Sequence, residues 1–277
     1  MNLGKFFLIT SFIAFVATVF TGTKLNAQVL DSAYLKCTYN FSCVFDTSMS
    51  ETRRKDMMIL RIGKNASDFY SYNTFMVDSL MQADINNGVP AMEMLANKSK
   101  YGKPGLHYHI LLNIPVNKIT YTEKFISKSF KYEDILNAQD WHIQSDTGIV
   151  LNYKVQKAAC SFGGRNWTAW FAPDIPVSYG PWKFNGLPGL ILSVEDDKKY
   201  FSFVMTALQY IQPKIPIQLN IFKKENYIEI SKQEMLKMEY KYYTDPFKFM
   251  NDNLGLRFTR TSGPESKPRS YIPIELY

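Results

Sequence analysis

Apolar residues fall at positions 33, 35, 37, 39, 41, 43 and 45, with Tyr34 and Val44 the only apolar residues set between them. That near-strict period of two predicts one long strand with a buried face and an open one. Asp56 to Ile62 follows as its hairpin partner, ended by Gly63-Lys64-Asn65, and Ser67 to Ser71 reads as a further short strand. More strands are predicted at Leu106–Leu112, Lys118–Thr122 and Ile149–Val155, with Trp141-His142-Ile143 running into a turn at Asp146-Thr147-Gly148. Leu190–Val194 and Tyr200–Met205 read as a hairpin around the charged turn Asp196-Asp197-Lys198-Lys199. Residues 79–105 carry little pattern beyond a short helix within Pro90–Asn97. One strong helix comes late: Ser231-Lys232-Gln233-Glu234 has capping-box form, Met235, Leu236, Met238 and Tyr242 make its apolar stripe, and Asp245-Pro246 ends it. This order predicts a β-rich α+β fold: a curved, largely antiparallel, half-barrel-like sheet with a few helices packed on one side.

The densest motif is Gly186-Leu187-Pro188-Gly189-Leu190-Ile191, at the end of a block that starts at Arg165-Asn166-Trp167-Thr168-Ala169-Trp170 and runs through Gly180-Pro181-Trp182-Lys183-Phe184. Proline presets φ at the second position of a turn and glycine accepts φ > 0 at the third, so Pro188-Gly189 predicts a type II turn leading into the hairpin. No Lys-Ser or Lys-Thr follows the glycines, so the bend is not a phosphate-cradling loop. The block resembles the signature of the GLPGLI family of secreted Bacteroidota proteins, with the resemblance covering roughly residues 29–208 and densest from Tyr153 to Leu192. It implies an exported, β-rich protein of unknown biochemical role. The chain departs from the family at Val155, where members carry a cysteine. The predicted architecture is also similar to the half-barrel of periplasmic lipoprotein carriers, a likeness of fold that does not by itself fix function.

Residues 1–27 have the three parts of a secretory signal: Lys5, an apolar stretch from Phe6 to Phe20, and Asn26-Ala27 before a cut. The expected organisation is therefore a signal at 1–27, a single domain at 28–260 and a tail at 261–277. Thr261 to Pro268 has the composition of disorder. The first cysteine, Cys37, lies well past the cut, which argues against a lipid anchor, and no other stretch is long and apolar enough to span a membrane. The expectation is a soluble exported protein, periplasmic or extracellular. The whole chain carries a formal charge of +7, and removing 1–27 takes away only Lys5 and Lys24. The remaining excess is spread without a basic block, which excludes a nucleic-acid partner. Aromatics make up 15% of the chain, enough for a large core that favours strands.

Candidate chemistry is sparse. Cys37 and Cys43 sit six residues apart on one predicted strand, roughly 20 Å at ~3.3 Å per residue, so any disulfide would join Cys160 to one of them. The pattern leaves at least one buried free thiol. There is no Gly-x-Ser-x-Gly elbow and no His-Glu-x-x-His, so the reading leans away from an enzyme, and no cofactor is expected. His107 and His109 lie two apart on a predicted strand and project from one face, half of a copper or zinc site. Trp167, Trp170, Tyr179, Trp182 and Phe184, with Arg165 or Lys183 at the mouth, are the candidate lining of an apolar groove. The leading expectation is a binding or carrier protein for an apolar, lipid-like or envelope-derived ligand. The alternatives are a metal-handling protein and a structural protein with an envelope partner.

Overall fold

A computed structural model describes residues 31–46, 52–136, 139–219, 225–254 and 270–276. The signal-like residues 1–27 and the stretch 261–268 lie outside them. The strands are β1 (Asp31–Cys43), β2 (Arg54–Ile62), β3 (Ser67–Ser71), β4 (Tyr108–Leu112), β5 (Lys118–Phe125), β6 (Lys128–Ile135), β7 (His142–Val150), β8 (Tyr153–Phe162), β9 (Arg165–Ala172), β10 (Leu190–Asp196), β11 (Phe201–Ile217) and β12 (Tyr227–Glu229). They form one sheet in the order β12-β6-β5-β4-β3-β2-β1-β11-β10-β9-β8-β7. Every pairing is antiparallel except that of β12 with β6. The two edges, β12 and β7, do not meet, so the sheet is open.

Alternation along β1 sets the two faces. Leu35, Cys37, Tyr39, Phe41 and Cys43 are buried while the residues between them are half-exposed or exposed. Register carries that choice across the sheet, so Cys37, Leu60, Phe69, Ile110, Tyr121 and Tyr132 stand in one inward row from β1 to β6. The neighbouring row, Ile59, Tyr70, His109, Thr122 and Lys131, belongs to the opposite face. A slip of one residue would exchange the rows, so burial of one face fixes the register.

Four helices complete the described residues: α1 (Tyr72–Asn86), α2 (Ala91–Ala96), α3 (Lys232–Thr244) and α4 (Pro246–Leu254). Met235 of α3 and Phe249 of α4 join the core on the inward face, together with Trp182, Phe184 and Leu187 from the connection between β9 and β10. Helix α1 lies against the other face, its Phe75 ring 5.4 Å from Tyr70. The helices thus divide between the faces instead of gathering on one. The capping box at Ser231 is present in full, with Glu234 N–H donating to Ser231 Oγ at 3.2 Å and Ser231 N–H donating to Glu234 at 2.8 Å.

Four local expectations need correction. Asp146-Thr147-Gly148 is not a turn but part of β7, whose register shifts between Ile143 and Thr147. Ile149–Val155 is not a strand but a hairpin tip, where Leu151 and Asn152 take φ of 49° and 65°, the doubly positive pattern that matches strand twist. Helix α1 had no periodic signal, because Phe75, Met76, Val77, Leu80, Met81 and Ile85 surround it without forming a stripe. In the glycine motif, positive φ (+93°) is at Gly186, not Gly189. Gly189 is required for a different reason: a Cβ there would lie 2.3 Å from the Ala172 carbonyl oxygen on β9.

Because that oxygen belongs to backbone, Gly189→Ala forces β9 and the motif apart. Urea unfolding of this variant is expected to show a loss of more than about 1 kcal/mol relative to the parent chain.

Candidate functional site

On the outward face, α1 packs against β2 and β3, and between it and the outward residues of β4 and β5 lies a trough of about 210 Å³. Its near wall is Phe75, Asp78, Met81, Gln82 and Ile85 of α1. The floor comes from His107, His109, Thr122 and Lys124, and the far side from Ser129, Leu219, Glu225 and Tyr227. Ser71 caps α1 by accepting Thr74 N–H at 3.2 Å, and Thr74 Oγ1 donates to the Leu106 carbonyl at 2.8 Å, so the first turn is pinned to the strand that enters the floor. The far end is held by Asp84, which accepts from Tyr101 and Lys100 at 2.7 Å each. Between these ties the helix buries none of its side chains fully, and Met76, Leu80, Met81 and Ile85 stay 36–52% exposed.

His109 is positioned by a carboxylate. Its Nε2 lies 3.3 Å from Asp68 Oδ2, and Asp68, fully buried on β3, also takes a forked pair of hydrogen bonds from Arg61 of β2. Burial opposes the charge on Asp68, but the hydrogen bonds from His109 and Arg61 and the charge of Arg61 outweigh it and hold the carboxyl below its usual range. His107 stands near the mouth. Burial, aided by the charges of Arg54 and Lys124, lowers its affinity for a proton. Both imidazoles reach the trough as their spacing predicts, but among the described residues no third His, Cys, Asp or Glu joins them as a metal ligand.

The inward face holds a second polar cluster. Glu123 of β5 and Glu239 of α3 are both buried, with the Tyr121 hydroxyl 2.7 Å from Glu123 Oε2 and 3.1 Å from Glu239 Oε1. Burial raises both carboxyls, and the charge of Glu123 and its hydrogen bond with Glu239 push Glu239 further. A small chamber of about 30 Å³ adjoins the pair, lined also by Phe41, Tyr108, Tyr243 and Tyr271. Beside it, the buried Lys183 ammonium donates to Tyr132 OH at 2.6 Å and to Glu275. Lys232 of α3 bridges the same Glu275 at 2.5 Å and Asp134 at 2.6 Å. Burial lowers the Lys183 pKa while Glu275 resists that shift. Leu106, Tyr108 and Glu123 border both trough and chamber, so one wall separates the two spaces.

The aromatic block predicted as a groove is placed differently. Trp167, Trp182 and Phe184 are buried against one another, with ring centroids 4.8–6.0 Å apart. Trp170 alternates to the other face of β9, where its ring meets Gly148. Tyr179 donates from its hydroxyl to the Asn65 carbonyl at 2.8 Å. Arg165 holds the backbone of the 270–276 segment, donating to the carbonyls of Pro273 at 2.5 Å and Ile274 at 2.9 Å. None of these seven residues lines the trough. Sequence reasoning missed Glu123, Glu239 and Glu275, which read as ordinary surface acids. It also missed α1, whose scattered apolar residues were the available signal. All three cysteines are free and buried, and burial pushes each thiol up to about 12.

A model for a family of proteins of unknown function (Porph_ging) matches residues 163–193, the stretch that contains the glycine motif. No curated protein matches the sequence. A solved structure of PNGF-II is similar over 77% of this chain and 34% of that one, at 17% identity and a TM-score of 0.51. The chain thus spans about a third of that structure, and the likeness shows the fold alone. A LolA superfamily protein from Nitrosomonas europaea aligns over 70% of this chain and 90% of its own at 12% identity, with a TM-score of 0.25.

The raised carboxyls of Glu123 and Glu239 stabilise the fold fully below the ordinary glutamate pKa of about 4.3, and that contribution is lost as pH rises through their higher folded values. Above about pH 4.3 this pair lowers the melting temperature as pH rises, and Glu239→Gln is expected to flatten that part of the slope. Lys183→Met leaves the buried Glu275 with Lys232 alone, and equilibrium unfolding should record a loss of about 3–5 kcal/mol.

Proposed function

We propose that this chain is an exported binding protein of the GLPGLI type, and that it carries an amphiphilic ligand in the trough beneath α1. One observation carries the reading: a fifteen-residue helix is pinned at both ends yet leaves an apolar surface half-exposed along an open trough. Apolar surface in that position gains about 0.8 kcal/mol for each methylene brought against it, so an acyl chain of modest length supplies useful affinity. The mixture of apolar side chains on α1 with hydroxyls, imidazoles and an ammonium on the floor suits a ligand apolar at one end and polar at the other. Export is supported by the signal-like form of residues 1–27, and no helix of the described residues is long and apolar enough to cross a membrane.

The neutral fluorescent probe N-phenyl-1-naphthylamine tests the trough. It is expected to bind the purified chain, and the paired change Met81→Asp with Ile85→Asp should weaken binding at least about tenfold, the equivalent of ~1.4 kcal/mol. Trp170→Ala, away from the trough, should leave it unchanged. Equal binding by the Met81/Ile85 variant, with circular dichroism confirming its fold, would overturn the reading.

A further inference from the structure

The floor of the trough has an order that its composition does not reveal. Register pairs Lys124 of β5 with Ser129 of β6, and Ser129 with Tyr227 of β12. Tyr108 faces Glu123, so one residue further out His107 stands beside Lys124. His107, Lys124, Ser129 and Tyr227 are thus one row of side chains taken from four adjacent chain segments, and all four line the trough. With adjacent strands ~4.8 Å apart, the row is roughly 14 Å long. It presents an imidazole, an ammonium, a hydroxyl and a phenol in sequence.

Two members of the row are uncommitted. The side chains of His107 and Lys124 make no hydrogen bond or ion pair among the described residues, and Arg54 adds a further positive charge near His107. Tyr227 keeps its proton, because burial pushes the phenol up to about 12. One acid of the trough, Glu225, borders the row, where its charge acts on Tyr227. Glu225 accepts the Ser129 hydroxyl at 3.2 Å, Asp78 is on the α1 wall, and Glu123 points inward to Tyr121. Asp56, near His107, is occupied by Leu106 N–H at 2.7 Å and Asn73 Nδ2 at 2.8 Å.

We infer that this row is the head-group subsite of the trough, and that the ligand is a single-chain amphiphile with an anionic head, a carboxylate or a phosphate, seated at Lys124 and His107 with its chain running under α1. The assignment rests on the carrier reading and deepens it. An ammonium without a partner beside an apolar channel favours an anion, which Lys124 and His107 can approach from adjacent positions of the row.

Displacement of N-phenyl-1-naphthylamine at pH 8, where an ordinary imidazole of pKa about 6.5 is neutral, isolates the ammonium. Dodecanoate and dodecyl phosphate, each below its micellar concentration, are expected to displace the probe at about tenfold lower concentration than dodecanol. Lys124→Gln should bring acid and alcohol within about twofold of each other while leaving dodecanol unchanged. His107→Gln should reduce the preference at pH 6 more than at pH 8. Whichever of the two anions is stronger identifies the head. Equal displacement by anion and alcohol, or a preference that survives Lys124→Gln, overturns the head-group assignment while the carrier reading stands. Failure of the probe to bind at all removes both.

Discussion

Lys183 is a cation without access to water, and the cover of the inward face is organised around neutralising it. Its partners come from separated parts of the chain: Tyr132 on β6 and Glu275 in the 270–276 segment, with Lys232 on α3 sharing that glutamate. Three aromatic rings, those of Tyr121, Tyr132 and Trp182, approach the ammonium to between 5.0 and 5.3 Å. An ion pair at this depth contributes little net stability compared with well-packed apolar side chains, but removing one partner is costly. It ties the connection between β9 and β10 and helix α3 to the 270–276 segment through one shared carboxylate, Glu275.

Beyond that cluster the two faces of the sheet are filled differently. The inward face is filled by side chains and by the carboxyl pair Glu123–Glu239. The outward face beneath α1 is left partly open, with polar and apolar groups mixed. The same strands serve both faces, since alternate residues of β4 and β5 point in opposite directions. Tyr108 and Glu123 pack inward, while His107, His109, Thr122 and Lys124 look out. A single antiparallel ladder thus supplies a rigid base for the trough and a wall for the core.

Much of the sheet was legible in the sequence because alternation is a local signal. The hairpin of β1 with β2, the hairpin of β10 and β11 and the capping box of α3 follow from residues close together in the chain. The site was not legible, and the reasons are particular. Trp167, Trp182 and Phe184 have the composition of a ligand groove, yet they meet each other, and only the three-dimensional contact distinguishes the two outcomes. Helix α1 has no apolar stripe because it has no core to face. Glu123 lies in an ordinary alternating strand, and its burial depends on Glu239, which comes 116 residues later. His107 and His109 were found by their spacing, but their neighbours Lys124, Ser129 and Tyr227 were joined to them only by register.

The sequence distance between Lys183 and Glu275 is 92 residues, and this bears on how the chain acquires its structure. During synthesis Lys183 emerges long before its counter-ion, and until Glu275 arrives the ammonium is better hydrated than buried. Trp182 and Phe184, its immediate neighbours, cannot settle onto the sheet without taking the lysine with them. Packing of Trp182 and Phe184 against Trp167 is therefore expected to wait for the 270–276 segment. Closure of the inward face is then a late, long-range event, and intermediates that precede it expose a sticky surface that calls for protection from aggregation.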